Sequence, residues 1–174
     1  LADAHDHATP AHQRLYATWA RGGAALLLSG NIMVDRRYLE RAGNVALEDG
    51  ADLASLRAWA QVVRDGGSQL WAQISHPGRQ CPRLVNATPL APSVVQLELA
   101  GNFGRPRAAT EDDILDIIGR FARTAAWVQE AGMDGVQIHS AHGYLLSQFL
   151  SPRTNRRQDR WGGPLENRAR LLLE

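Results

Sequence analysis

Three short runs rich in apolar residues, each preceded by helical periodicity and each ending in polar residues, constrain this chain most. Residues 24–29 (AALLLS), 69–75 (QLWAQIS) and 134–140 (DGVQIHS) have the length and make-up of strands. Before the first, Thr9 reads as an N-cap with Pro10 at the first helical position. Leu15, Trp19 and the flanking alanines give that helix its apolar face, and Gly22 and Gly23 end it. A helix over residues 52–65 follows, capped by Asp52, with Leu53, Leu56, Trp59, Ala60 and Val63 as its buried stripe. Before the third run, Thr110 and Asp113 form a capping box. Ile114, Ile117, Ile118, Phe121, Ala125 and Val128 continue that helix to Gly132. A fourth helix begins at Pro164 and runs to Leu173.

The order α-β-α-β-α-β-α predicts an α/β fold with parallel strands and right-handed crossovers. The first strand, wholly apolar, is expected to be covered on both faces and to stop at Gly30 and Asn31. Three such strands belong equally well to a doubly wound sheet or to part of a (β/α)8 barrel, and periodicity does not choose. Residues 35–50 read as a polar connection. Residues 76–109 carry five prolines and read as a long loop, a feature that usually marks function or a linker. A second polar loop follows the third strand.

Composition removes several functions. All 19 basic residues are Arg, so the chain lacks the Lys of a Walker A phosphate loop and of a Schiff-base or pyridoxal-phosphate site. A net charge of +1 argues against a dedicated nucleic-acid binder. The longest aliphatic run, residues 24–28, is far short of the roughly 20 residues that span a bilayer, so no membrane association is expected. One Cys makes no internal disulfide and no Cys-based metal cluster, which gives the cytoplasm as the default compartment.

The polar residues at the strand ends carry the chemistry. Active sites of both parallel architectures lie at the carboxyl ends of strands. Gly30 follows the first, Gln73 and His76 mark the end of the second, and His139, His142 and Tyr144 follow the third. The turn at Ser29-Gly30-Asn31 holds no G-x-G-x-x-G, so nothing supports a dinucleotide fingerprint. Gln73 either bonds to neighbouring backbone as a core amide or serves a site. His139 and His142 read in two ways. With His76 they would supply three ligands to a catalytic zinc. Alternatively they would donate to a developing negative oxygen, with Tyr144 giving or taking a proton. The cluster between Asn155 and Asp159 reads as a loop tether, and Arg79 and Arg83 face substrate, a neighbouring subunit or solvent.

Residues 73–80 (QISHPGRQ) and 135–152 (GVQIHSAHGYLLSQFLSP) together resemble the old yellow enzyme family of NAD(P)H-dependent flavin oxidoreductases. The resemblance continues through Asn155, Arg156, Asp159, Trp161, Gly162, Gly163, Glu166, Asn167 and Arg168, and through residues 27–35 (LLSGNIMVD). It implies an FMN-containing (β/α)8 barrel that takes hydride from NAD(P)H and reduces activated carbon–carbon double bonds of small α,β-unsaturated substrates. It implies that Gln73 hydrogen-bonds the flavin pyrimidine edge and that Gly30 leaves room for the isoalloxazine ring. It further implies that His139 and His142 clamp the substrate carbonyl oxygen and that Tyr144 protonates the alkene. His142 stands where some members have Asn, Trp161 where Tyr is usual and Pro164 where Ser is common.

The resemblance also sets the extent. The strands match the second, third and fourth of the barrel, so residues 1–174 are expected to be one incomplete FMN-binding domain. The chain starts at Leu1 rather than Met, and the first strand is expected before it. The fifth to eighth strands, with the flavin-contacting Arg and the phosphate loops, are expected beyond Glu174. Alone, residues 1–174 are expected not to bind FMN tightly. The rival expectations are a metal-dependent barrel hydrolase using His76, His139 and His142, or an inactive half-barrel. A homo-oligomer is left open.

Overall fold

A computed structural model describes residues 1–48, 50 and 53–174. Asp52, the expected cap of the second helix, lies outside the described residues. The chain divides into two compact units.

The first unit comprises Leu1–Arg36, Gly43–Ile74 and Phe121–Ile138. It contains helix α1 (Pro10–Arg21), strands β1 (Leu26–Met33) and β2 (Val45–Ala46), and helix α2 (Leu53–Asp65). It also contains nearly all of β3 (Gln69–Ser75), the second half of a later helix, and the last strand of its sheet (Gly135–Ile138). The sheet order places β2 beside β1, β1 beside β3, and β3 beside that last strand. β1 pairs in parallel with β2, Ile32 opposite Val45, and β3 pairs in parallel with the last strand, Gln73 opposite Gln137.

β1 departs from expectation at one face and at its end. It runs through Gly30 and Asn31 to Met33, because β2, unforeseen inside the polar connection, supplies a ladder for Ile32 and Met33. Around Gly30 two side chains take up the backbone: the Tyr16 hydroxyl donates to Leu28 O and accepts from Gly30 N–H, both at 3.1 Å. Ser29 Oγ accepts the Gln73 N–H at 2.8 Å, which ties β1 to β3. Only one face is covered: Ser29 is buried, whereas Leu26 and Leu28 are exposed. β3 shows the same alternation, with Leu70, Ala72 and Ile74 fully buried and Trp71 on the open face.

The face of α1 also differs from expectation. His12, Tyr16 and Ala20, spaced by four residues, turn inward, while Leu15 and Trp19 are exposed. The rings of His12 and Tyr16 lie 4.9 and 4.8 Å from Trp59 of α2. Ala20 packs so closely on Gly66 that any Cβ there would collide with it. A small residue and two amphipathic rings thus bring the helices together more closely than Leu15 and Trp19 would. The core of this unit gathers Leu53, Leu56, Trp59 and Val63 of α2 with Leu70, Ala72 and Ile74 of β3.

The second unit comprises Arg37–Ala42, Ser75–Arg120 and His139–Glu174. A single 3-10 turn, Gly78–Gln80, opens the long segment after β3. Two further strands missed by the sequence reading, β4 (Leu90–Ala91) and β5 (Arg107–Ala108), pair in parallel. Helix α3 (Glu111–Glu130) begins here, its capping box in place: Asp113 N–H donates to Thr110 Oγ1 at 3.2 Å and Thr110 N–H to Asp113 Oδ2 at 2.8 Å. The strand expected over 134–140 is Gly135–Ile138, here β6. It is bounded by Asp134, whose carboxylate accepts the Leu70 N–H at 2.8 Å, so His139 and Ser140 lie outside it. Helix α4 (Leu145–Leu150) lies in what reads as a polar loop, and α5 spans Leu165–Leu173. Leu145, Leu146 and Phe149 of α4, Leu90 and Trp161 are buried in this unit. Among the described residues, no helix is long and apolar enough to cross a membrane.

Candidate functional site

In the first unit the open face of the sheet carries the candidate cofactor residues. By strand alternation, Gly30 shares its face with Leu26 and Leu28, and Gln73 shares its face with Trp71. Gln73 is half-buried, and its amide meets no core backbone. Its Nε2 donates to Gln137 Oε1 at 2.5 Å, across the register that sets the two residues side by side. A Cβ built at Gly30 would meet nothing within 4 Å. The face therefore offers an unobstructed position at Gly30 and a pair of accessible amides. That combination suits a flat heteroaromatic ring with an edge of alternating donors and acceptors. Gln137 was not singled out by sequence reasoning. Its signal is a second glutamine one position before the end of a strand, as Gln73 stands two before the end of β3.

In the second unit His139, His142 and Tyr144 come together. The ring of His139 stands edge-on to His142 at 5.1 Å and to Tyr144 at 4.9 Å. Ala141 N–H donates to His139 Nδ1 at 3.3 Å, so the neutral His139 ring carries its proton on Nε2. That Nε2 lies 3.3 Å from His142 Nδ1, which accepts and leaves the His142 Nε2–H as an outward donor. His139 is 6% exposed. Burial first, then the neighbouring His142, push its pKa below the usual histidine range, and Glu40 pulls the other way.

The turn that presents His142 is unusual. His142 has φ +57° and Gly143 φ +76°, the two left-handed centres that a type I′ turn needs, and Tyr144 N–H closes it on Ala141 O at 3.2 Å. For a residue with a Cβ this conformation costs about 1–2 kcal/mol. Two glutamines missed by the sequence reading hold it: Gln80 Nε2 donates to His142 O at 2.8 Å, and Gln148 Nε2 to Gly143 O at 2.7 Å. Gln148 was visible as one polar residue among the apolar residues of α4.

His76 is not gathered with the other two histidines. Its ring stacks on Tyr38 at 4.7 Å, its Nδ1 accepts the Gly78 N–H at 3.0 Å, and its carbonyl accepts the Leu145 N–H. Among the described residues no group of three His, Cys, Asp or Glu side chains is arranged to hold a metal ion. The zinc-hydrolase expectation therefore has no ligand set behind it. Arg79 spans inward: its Nη1 donates to Val95 O at 3.0 Å, and burial lowers its pKa. Asn155 is a tether, its Nδ2 donating to Phe149 O and Trp161 O at 2.8 and 2.7 Å.

Known proteins resemble this chain in sequence and fold. The family model described as NADH:flavin oxidoreductase / NADH oxidase matches residues 2–174. The NADH-dependent flavin oxidoreductase NadA of Aspergillus parasiticus is 45% identical over 167 residues, covering 91% of this chain and 38% of that protein. The NADH oxidase of Thermoanaerobacter brockii is 39% identical over 165 residues, covering 91% of this chain and 25% of its own length. Among solved structures, the old yellow enzyme homologue of Zymomonas mobilis superposes with a TM-score of 0.88 at 31% identity, covering 98% of this chain and 50% of that one. Morphinone reductase, solved as an N189A variant with tetrahydroNAD, superposes with a TM-score of 0.89 at 27% identity, covering 99% of this chain and 51% of that one. The chain thus spans between a quarter and about half of the length of these relatives, and its fold is the corresponding part of their (β/α)8 barrel.

Proposed function

This chain belongs to the NADH:flavin oxidoreductase / NADH oxidase family, and we propose that it forms part of an FMN-binding (β/α)8 barrel domain that reduces activated C=C bonds. The observation that carries this reading is the joined pair of imidazoles at His139 and His142 with the Tyr144 ring beside them. FMN, when bound, supplies hydride transfer from NAD(P)H to the substrate.

The residues of the chain do the rest. Gln73, with Gln137, offers its amide to the pyrimidine edge of the flavin, and Gly30 leaves space for the ring system. The His142 Nε2–H donates to the carbonyl oxygen of an enone. The His139 Nε2–H, which meets His142 Nδ1 on the opposite side of that ring, turns to the same oxygen when substrate binds. Both withdraw electron density from the alkene and stabilise the negative oxygen that builds up in the transition state. Tyr144 delivers the proton to the alkene carbon that does not receive hydride. The substrate is a small α,β-unsaturated carbonyl compound, because an oxygen acceptor conjugated to the double bond is what such a donor pair recognises.

Spectra and turnover of the complete FMN-loaded enzyme that contains these residues, carrying His139→Ala and His142→Ala, test this. FMN is expected to stay bound, since neither residue is assigned to it. Enone-dependent oxidation of NAD(P)H is expected to fall by about 10²–10³. Unchanged turnover in the double variant refutes the carbonyl clamp.

A further inference from the structure

The His142–Gly143 turn is held from two sides by amides that belong to different segments. Gln80 ends the 3-10 turn after His76, and its backbone N–H is itself fixed on Pro77 O at 3.1 Å. Its side chain reaches the His142 carbonyl. Gln148 projects from α4, is 1% exposed, and uses every group of its amide. Its Nε2 donates to Gly143 O and to Pro77 O at 3.1 Å, and its Oε1 accepts the Arg79 N–H at 3.2 Å. Both carbonyls of the two left-handed residues thus end on glutamine.

We propose that Gln80 and Gln148 are positioning residues that act through this turn, holding His142 left-handed so that its ring meets His139. The inference rests on the reading of the two imidazoles as the carbonyl clamp. A histidine released from φ +57° relaxes to the negative-φ regions that residues with a Cβ prefer. That relaxation rotates its Cβ about the backbone, and the 3.3 Å contact between Nδ1 and His139 Nε2 is lost. The fit is tight, for a Cβ at Gly143 would stand 2.6 Å from Gln80 Nε2. The amide therefore occupies the space a side chain at 143 would need, and the glycine is what allows the bond to His142. The two amides bond backbone carbonyls of the turn and are assigned no contact with substrate. Their effect reaches the reaction only through where His142 stands.

The test is a double-mutant cycle in the complete FMN-loaded enzyme that contains these residues, using Gln80, which is half-buried and so less disruptive to replace than Gln148. FMN is first reduced with dithionite, and its reoxidation by an enone is followed by stopped flow. Gln80→Ala is expected to slow reoxidation on the order of 10-fold, as misplacement of a reacting group by a fraction of an ångström does. In a His142→Ala background the same substitution is expected to change nothing. An equal loss in both backgrounds overturns the proposal, because a merely structural defect does not need His142. Imidazole NMR gives an independent readout: Gln80→Ala is expected to shift the ring signals of His139 and His142, and unmoved signals overturn the proposal as well. If Gln80→Ala fails to retain FMN, Gln80→Met replaces it, of similar length, uncharged and without the Nε2 donor. If His142→Ala alone leaves enone reduction at full rate, the clamp reading fails, and the imidazole signals decide the positioning role by themselves.

Discussion

Replacing Gly78 with Ala tests the packing beneath the histidine cluster. Gly78 has φ +59°, and a Cβ built there would stand 2.6 Å from Gln148 Nε2 and nearer still to Oε1. Two costs follow. Holding a residue with a Cβ in the left-handed region costs about 1–2 kcal/mol. The Gln148 amide cannot yield without giving up bonds to Pro77, Arg79 or Gly143, and unpairing buried polar groups costs about 1–3 kcal/mol more. The combined loss of about 2–5 kcal/mol is a large share of the roughly 5–15 kcal/mol that keeps a domain folded. Gly101→Ala is the control, since it has φ +71° and nothing within 4 Å of its Cβ, so it carries only the backbone cost. Urea unfolding followed by far-UV circular dichroism measures both. A Gly78→Ala loss no larger than that of Gly101→Ala refutes the claim that Gln148 is pinned against Gly78.

Two other substitutions probe the frame. Tyr16→Phe removes the hydroxyl that bridges Leu28 O and Gly30 N–H, and a destabilisation of about 1–3 kcal/mol is expected in the same urea assay. A loss below experimental error shows that the strand satisfies itself at Gly30. Asp113→Ala removes the capping carboxylate of α3 and its paired bonds to Arg107, at 2.6 and 2.8 Å, for an expected loss of about 1–2 kcal/mol. Arg107 holds the Asp113 carboxyl well below the usual carboxylate range. The unfolded chain therefore binds the proton more readily, and this contribution is full above about pH 4 and lost as pH falls through the folded value. Unfolding midpoints measured from pH 7 downward are expected to drop less steeply in Asp113→Ala. Parallel slopes contradict the assignment.

The helices and β3 were legible because their signals are local. Gln69–Ser75 carries its alternation within seven residues, and Thr110 and Asp113 announce the start of α3 on their own. What escaped depends on partners far along the chain. β1 continues past Gly30 because β2 pairs with its end and Tyr16, fourteen residues earlier, takes the Gly30 N–H. Nothing in residues 30–33 states either fact. α1 was misread because hydrophobicity favoured Leu15 and Trp19, whereas close approach to α2 favoured Ala20 against Gly66. At the site, His139, His142 and Tyr144 were legible from their spacing and the structure brings them together, but their supports were not. Gln80 and Gln148 each bond backbone carbonyls in other segments, and a side chain bonded to remote backbone leaves no pattern in sequence.

The choice of glutamine for those supports follows from what the imidazoles must do. A neutral His139 accepts at Nδ1 and donates at Nε2, and its burial beside His142 keeps it neutral against the pull of Glu40. A carboxylate at position 80 or 148 would face peptide oxygens now 2.8 and 2.7 Å from the amide nitrogens, and would repel them. Its charge would also favour protonation of His139, which could then no longer accept the Ala141 N–H. An arginine would donate, but its cation would add to the cost of any proton held by the pair and would need burial at position 148. Only a neutral donor of this reach satisfies the two carbonyls and leaves the protonation of the histidines to their own surroundings. The amides therefore fix where His142 stands without placing a charge beside it.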